Sequence, residues 1–149
     1  MASLAVIVPA TNSPRTLTQC LAAIRSSADP PEELVVVEEP AGDGPAAARN
    51  AGVGQTTSDV LVFVDSDVAV HDDALTRFRD AFDGVAALDA LFGSYDDRPD
   101  ALGVVSQFRN LLHHHVHHSN AGPATTFWAG LGAMRRDAFL EAGGFDDHR

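Results

Sequence analysis

Three short runs of aliphatic residues constrain this chain more than any other feature. They are Leu4–Pro9, Glu33–Glu38 (centred on Leu34-Val35-Val36-Val37) and Asp59–Val64. Each is apolar at consecutive positions, not at alternate ones. A strand apolar on both faces must be buried on both faces, the condition of a largely parallel sheet covered by helices. Helix-like stretches separate the runs. Ser13-Pro14 reads as an N-cap and first helical residue, Leu17, Leu21 and Ile24 follow at near-helical spacing, and Asp29-Pro30-Pro31 ends the segment. Gly42–Pro45 reads as a turn and Ala46–Gly52 as a short helix ended by glycine. Asp72–Phe82 reads as a third helix, with Asp72 and Asp73 at its positive end. Right-handed crossovers then predict a doubly wound, mostly parallel α/β sheet. Ligands of such sheets sit at the carboxyl ends of the strands, so Pro9–Asn12, Glu38–Asp43 and Asp65–Asp67 are the positions to inspect.

The second half is less regular. Ala86–Phe92 suggests a fourth strand and Leu102–His118 a helix; Thr125–Met134 has room to hold a strand, and Arg135–Ala142 a short helix ended by Gly143-Gly144. A length of 149 residues argues for one domain, or a piece of one. The net charge of −11 repels phosphate backbones and argues against nucleic acid. It suits cations, or an anionic ligand that arrives with its own metal. The single Cys20 excludes an internal disulfide and a multi-cysteine metal site, and a reducing, cytoplasmic compartment is the simplest expectation. The start, MASLAVIVPA, lacks the basic region of a signal peptide, and no stretch approaches the roughly 18 apolar residues of a transmembrane helix.

The strongest chemical signal is Val60-Leu61-Val62-Phe63-Val64-Asp65-Ser66-Asp67. Two carboxylates at i and i+2 leave the end of a buried strand, where they can flank one ion. Oxygen-only ligands suit Mg²⁺ or Mn²⁺. The bland alternative is an Asp-rich turn ahead of the next helix. Arg49 lies in Gly44-Pro45-Ala46-Ala47-Ala48-Arg49-Asn50-Ala51-Gly52, whose small residues allow close packing on the sheet. Its guanidinium is a bidentate partner for phosphate or base, or else a surface charge on an Ala-rich helix. Glu38 and Glu39 could accept hydrogen bonds from a base or ribose, or simply be a solvated strand end. His113-His114-His115-Val116-His117-His118 has i,i+4 pairs able to chelate an ion; a polar face or acceptor contacts are the alternatives.

In this order, Val6-Ile7-Val8-Pro9, Val35-Val36-Val37-Glu38-Glu39, Ala48-Arg49-Asn50-Ala51-Gly52 and Val64-Asp65-Ser66-Asp67 resemble family 2 glycosyltransferases. So do Phe127-Trp128-Ala129-Gly130-Leu131-Gly132 and Phe139-Leu140-Glu141-Ala142-Gly143-Gly144-Phe145-Asp146. The resemblance implies the GT-A fold, a Rossmann-like three-layer α/β/α arrangement spanning 1–149 as one domain. Residues 1–100 or so would form the nucleotide-sugar half and the rest a partial acceptor side. It implies metal-dependent, inverting transfer from a UDP- or GDP-type sugar to an acceptor hydroxyl. Pro9, Ala10 and Asn12 would line the nucleotide pocket. Glu38 stands where the family usually has an Asp that reads the base. Arg49 would contact base or diphosphate, Asp65 and Ser66 the donor, and Asp65 and Asp67 the Mn²⁺ or Mg²⁺. Trp128, Gly130 and Gly132 would shape the sugar and acceptor pocket.

Family members continue past Gly-Gly-Phe-Asp into an acidic motif that supplies the general base. Here the sequence runs Asp146-Asp147-His148-Arg149, so Asp146 and Asp147 are the substitute candidates. The expectation is a truncated domain that binds sugar nucleotide and transfers poorly alone, peripheral at the membrane only within a longer protein. A shortened sheet would also favour self-association into a homo-oligomer. The other readings are a nucleotide-binding module and a nucleotidyltransferase. The latter would want a glycine-rich basic loop where Ala10-Thr11-Asn12-Ser13-Pro14-Arg15 stands.

Overall fold

The computed structural model describes residues 1–94 and 126–147. The elements in chain order are β1 (Leu4–Pro9), α1 (Leu17–Arg25), β2 (Glu33–Val37), α2 (Pro45–Val53), β3 (Val60–Val64), α3 (Ala74–Gly84), β4 (Ala90–Phe92), β5 (Leu131–Arg135) and α4 (Arg136–Ala142). The strands form one sheet in the order β2-β1-β3-β5-β4. β1 pairs in parallel with both β2 and β3, while β5 runs antiparallel to β3 and to β4. The sheet is therefore mixed and mostly parallel, the α/β class that the consecutive apolar runs predict.

Side chains alternate across the sheet, and each face has its own core. Leu4, Val6, Val8, Val60, Val62 and Val64 pack with Cys20 and Ile24 of α1 and with Leu75, Phe78 and Phe82 of α3. Ile7, Leu61 and Phe63 pack on the opposite face with Val53 of α2 and Phe139 of α4. Helices cover both faces, giving the three-layer arrangement. Phe63 anchors the second face, with the rings of Phe139 and Phe145 centred 5.7 Å and 5.0 Å away. At the opposite edge the buried Arg79 is held by Asp29 at 2.7 Å and Glu32 at 3.0 Å. That satisfies a charge that would be costly alone.

Several element boundaries differ from expectation. Ser13 is not an N-cap: it has φ +51°, the chain turns through 15–16, and the helix begins at Leu17. α2 runs on to Val53, because Gly52 does not end it but packs inward on β1 and β2. α3 starts at Ala74, with Asp73 at the N-cap position. The expected strand over Ala86–Phe92 shrinks to Ala90–Phe92, and the strand looked for within Thr125–Met134 is Leu131–Arg135. Gly143 closes α4 in the left-handed conformation, φ +86°. The expected helix over Leu102–His118, with its His run, lies outside the described residues. No described helix is long and apolar enough to cross a membrane.

Candidate functional site

Because β1 lies between β2 and β3, the loops that follow all three strands meet at one edge. The loop after β1 is tied to the loop after β2. The Ala10 amide donates to the Val37 carbonyl at 2.8 Å, and the Gly42 amide donates to the Thr11 carbonyl at 3.0 Å. The buried Thr11 hydroxyl donates to the Asp43 carbonyl. Pro9 and Ala10 are buried and form the floor of this edge, whereas Asn12 and Glu38 are exposed on its rim.

The loop after β3 is fixed from two sides. The Asp65 amide donates to the Gly130 carbonyl at 3.0 Å, and the Val68 amide donates back to the Asp65 carbonyl at 3.0 Å. Asp65-Ser66-Asp67 is thus a tight turn. From beneath, the Thr16 hydroxyl donates to the Ser66 carbonyl at 2.8 Å and the Cys20 thiol to the Asp65 carbonyl at 3.5 Å. Burial, with the added charges of Asp67 and Asp65, pushes the Cys20 thiol up to about 11. It is a packing thiol under an acidic turn. The Asp67 side chain is exposed and Asp65 is half-exposed.

Arg49 reaches this turn from the second turn of α2. Its Nη2 donates to Asp65 Oδ1 at 2.6 Å, its side chain is only 12% exposed, and its Nε is buried with no hydrogen bond among the described residues. A buried guanidinium nitrogen without an acceptor is expensive, so the arrangement calls for a further anionic oxygen. The Arg49 guanidinium also lies 5.4 Å from the centre of the Phe145 ring.

The beginning of β5 and the end of α4 complete the surroundings. A Cβ on Gly130 would overlap the Trp128 indole, and one on Gly132 would come within 2.6 Å of the Trp128 carbonyl. Both glycines are therefore what allows the half-buried Trp128 to lie where it does. Beyond α4, Asp146 and Asp147 are exposed along an open groove of about 700 Å³ between α2 and α4. Asn50 Nδ2 donates to the Asp147 carboxylate at 3.1 Å. Among the described residues no three His, Cys, Asp or Glu side chains converge to hold a metal unaided. Asp65 and Asp67 can supply two oxygens, and a third ligand would come from elsewhere. The donor chemistry fits Mn²⁺ or Mg²⁺, and the Arg49 guanidinium already places a cation on Asp65.

The structure thus brings Arg49 onto Asp65 and sets Gly130 against the same turn. It leaves Asn12, Glu38 and Asp67 on the rim and puts Asp147 beside Asn50. Two contributors lay in stretches the sequence singled out but had no role read for them. Thr11 bonds a residue 32 positions away, and Asn50 bonds Phe145 across 95 positions.

An acidic turn and an arginine thus lie at the carboxyl edge of a doubly wound sheet, where α/β proteins of this class hold their ligands. The sequence pattern of glycosyl transferase family 2 matches residues 31–143, and the chain belongs to that family. None of the curated protein sequences matches significantly. Among solved structures the chain is similar to the mannosyltransferase PcManGT of Pyrobaculum calidifontis, in complex with GDP-Man and Mn²⁺. The identity is 20% and the TM-score 0.71, over 99% of this chain and 48% of that one. It is also similar to S. aureus TarS, at 17% identity and TM-score 0.66, over 98% and 51%. A third is glucosyl-3-phosphoglycerate synthase of Mycobacterium tuberculosis in complex with UDP, at 19% identity and TM-score 0.57, over 91% and 57%. At these identities the likeness shows the fold, that of GT-A glycosyltransferases. The chain spans about half the length of these structures.

Proposed function

We propose that the carboxyl edge of β1, β2 and β3 binds a nucleoside-diphosphate sugar with a divalent cation, for inverting transfer of the sugar to an acceptor hydroxyl. The observation that carries this is the Arg49–Asp65 pair. A buried guanidinium with one unsatisfied nitrogen meets a half-exposed carboxylate at the switch between strand ends. Such a pair can part to hold two opposite partners: diphosphate on Arg49 and a cation on Asp65. The ligands of the similar structures, GDP-Man with Mn²⁺ and UDP, support the same ligand class.

In this reading Asp65 and Asp67 hold Mn²⁺ or Mg²⁺. The cation would neutralise charge that builds on the departing diphosphate. Arg49 holds diphosphate oxygens through its fork, a geometry lysine cannot supply. Glu38 accepts hydrogen bonds from base or ribose, and Asn12 and Ser66 line the nucleotide. Trp128 and Gly130 shape the sugar pocket. An acceptor hydroxyl attacks the anomeric carbon opposite the diphosphate. The new C–O bond forms as the bond to the diphosphate oxygen breaks, which inverts that carbon. The hydroxyl proton passes to a carboxylate, for which Asp146 and Asp147 are the candidates among the described residues.

A second reading is a donor-binding module with slow transfer. It is favoured by the Asn50 hydrogen bond on Asp147, which already engages that carboxylate. Turnover of radiolabelled UDP- and GDP-sugars separates the two. Transfer to added hydroxyl acceptors supports the first, and slow hydrolysis alone supports the second. Binding of neither nucleotide overturns both.

A further inference from the structure

Asn50 neighbours Arg49 on α2, yet its side chain faces a different task. Its Oδ1 accepts from the Phe145 amide at 2.9 Å and its Nδ2 donates to the Phe145 carbonyl at 2.8 Å. The carboxamide thus grips both polar groups of one residue, as a neighbouring strand would. The same Nδ2 bonds Asp147 at 3.1 Å. Gly144, at φ +79°, makes the approach possible, since a Cβ there would stand 2.9 Å from Asn50 Oδ1. What the grip fixes is the Phe145 ring. That ring stacks edge-on to Phe63 at 5.0 Å and lies 5.4 Å from the Arg49 guanidinium.

We propose that Asn50 is a positioning residue: by clamping the Phe145 backbone it seats the Phe145 ring against Arg49 and so sets the guanidinium that receives the nucleotide's diphosphate. This rests on the nucleotide-binding reading above. It goes beyond that reading by making a residue outside the Asp65 turn a determinant of donor affinity. The C-terminal segment 144–147 is then coupled to the donor site through α2, not merely packed beside it.

The test is a double-mutant cycle read by calorimetric affinity for GDP and UDP with Mn²⁺, on the full 149-residue chain. Asn50→Ala is expected to weaken nucleotide binding about fivefold, the scale of one partly desolvated cation–π contact. In an Arg49→Ala background the same substitution should change affinity less than twofold, because the intermediary is gone. Phe145→Leu, which keeps the Asn50 backbone hydrogen bonds, should reproduce the loss even if Asn50→Ala fails to fold. A merely structural Asn50 would lower the melting temperature and leave the affinity of the folded protein unchanged. That result, or equal losses in both backgrounds, or an unchanged Phe145→Leu, overturns the proposal. If Arg49→Ala itself leaves affinity unchanged, or the wild-type chain binds neither nucleotide, the nucleotide-site reading fails first and takes the proposal with it.

Discussion

Arg49 lies on Asp65 at 2.6 Å, so the site holds its own internal cation. In the proposed function a metal ion would compete with it and a diphosphate would draw it away. Arg49→Lys keeps the charge and loses the fork. Nucleotide affinity should then fall about tenfold, or ~1.4 kcal/mol, by calorimetry. Arg49→Gln should go further and change two affinities in opposite directions, weakening nucleotide and tightening Mn²⁺ alone as Asp65 loses its competitor. Equal weakening of both ligands would contradict the competition. Cys20 offers an independent check on the turn beneath. Its ordinary value is 9.0 and its folded value about 11. Between these the unfolded chain has released a proton that the folded chain keeps, so stability falls as pH rises, by up to about 1.4 kcal/mol per pH unit. The chain has ten arginines and no lysine, and Tyr95 is its one tyrosine, so few other groups titrate in this window. Denaturant unfolding from pH 9 to 11 should therefore show a steeper decline for wild type than for Cys20→Ala. Parallel slopes would mean the thiol is not held neutral by the fold. At this scale the sequence marks Asp65, Asp67 and Arg49 through residue type and place. It includes Asn50 and Thr11 in its motifs but gives them no role, since their partners are distant and their bonds run to backbone groups.

Elements were legible where hydrophobicity decides them and not where a loop's tertiary bonds do. β1 and β3 follow from consecutive apolar residues, since both faces of each are covered, while β2 is apolar from Leu34 to Val37 but mostly half-buried at the sheet edge. The Ser13-Pro14 signal misleads because the same loop is drawn toward segment 42–43 through Thr11, which leaves Ser13 at positive φ and delays α1. The antiparallel direction of β5 is invisible locally, since nothing in Leu131–Arg135 differs from a parallel strand. Gly52 shows a helix signal with two meanings. It looks like a terminator, yet it sits inside α2, where a Cβ would overlap an Ile7 methyl and come within 3.2 Å of Val37. Alanine ordinarily favours a helix by about 1 kcal/mol over glycine. Here Gly52→Ala should instead destabilise by about 1–3 kcal/mol through overpacking, read by urea unfolding. A stabilised variant would mean that α2 does not press on β1.

For the whole molecule, the sheet order β2-β1-β3 gathers the loops after three parallel strands at one edge, and the chain's functional case rests on that edge. The doubly wound class and the strand-end location of the site were readable because parallel strands with covered faces leave few topologies. How the C-terminal segment joins the site was not, because the Asn50–Phe145 bonds depend on the finished packing of α4. Metal-assisted nucleotide binding at this edge is tested most directly by calorimetric titration of GDP and UDP into the chain, with Mn²⁺ and with the metal chelated, repeated on Asp67→Ala. One of the two nucleotides should bind with Mn²⁺, lose about tenfold or more in affinity without it, and lose that metal dependence in Asp67→Ala while circular dichroism stays unchanged. Nucleotide binding equally tight with and without Mn²⁺, or an Asp67→Ala variant with wild-type metal dependence, would contradict it.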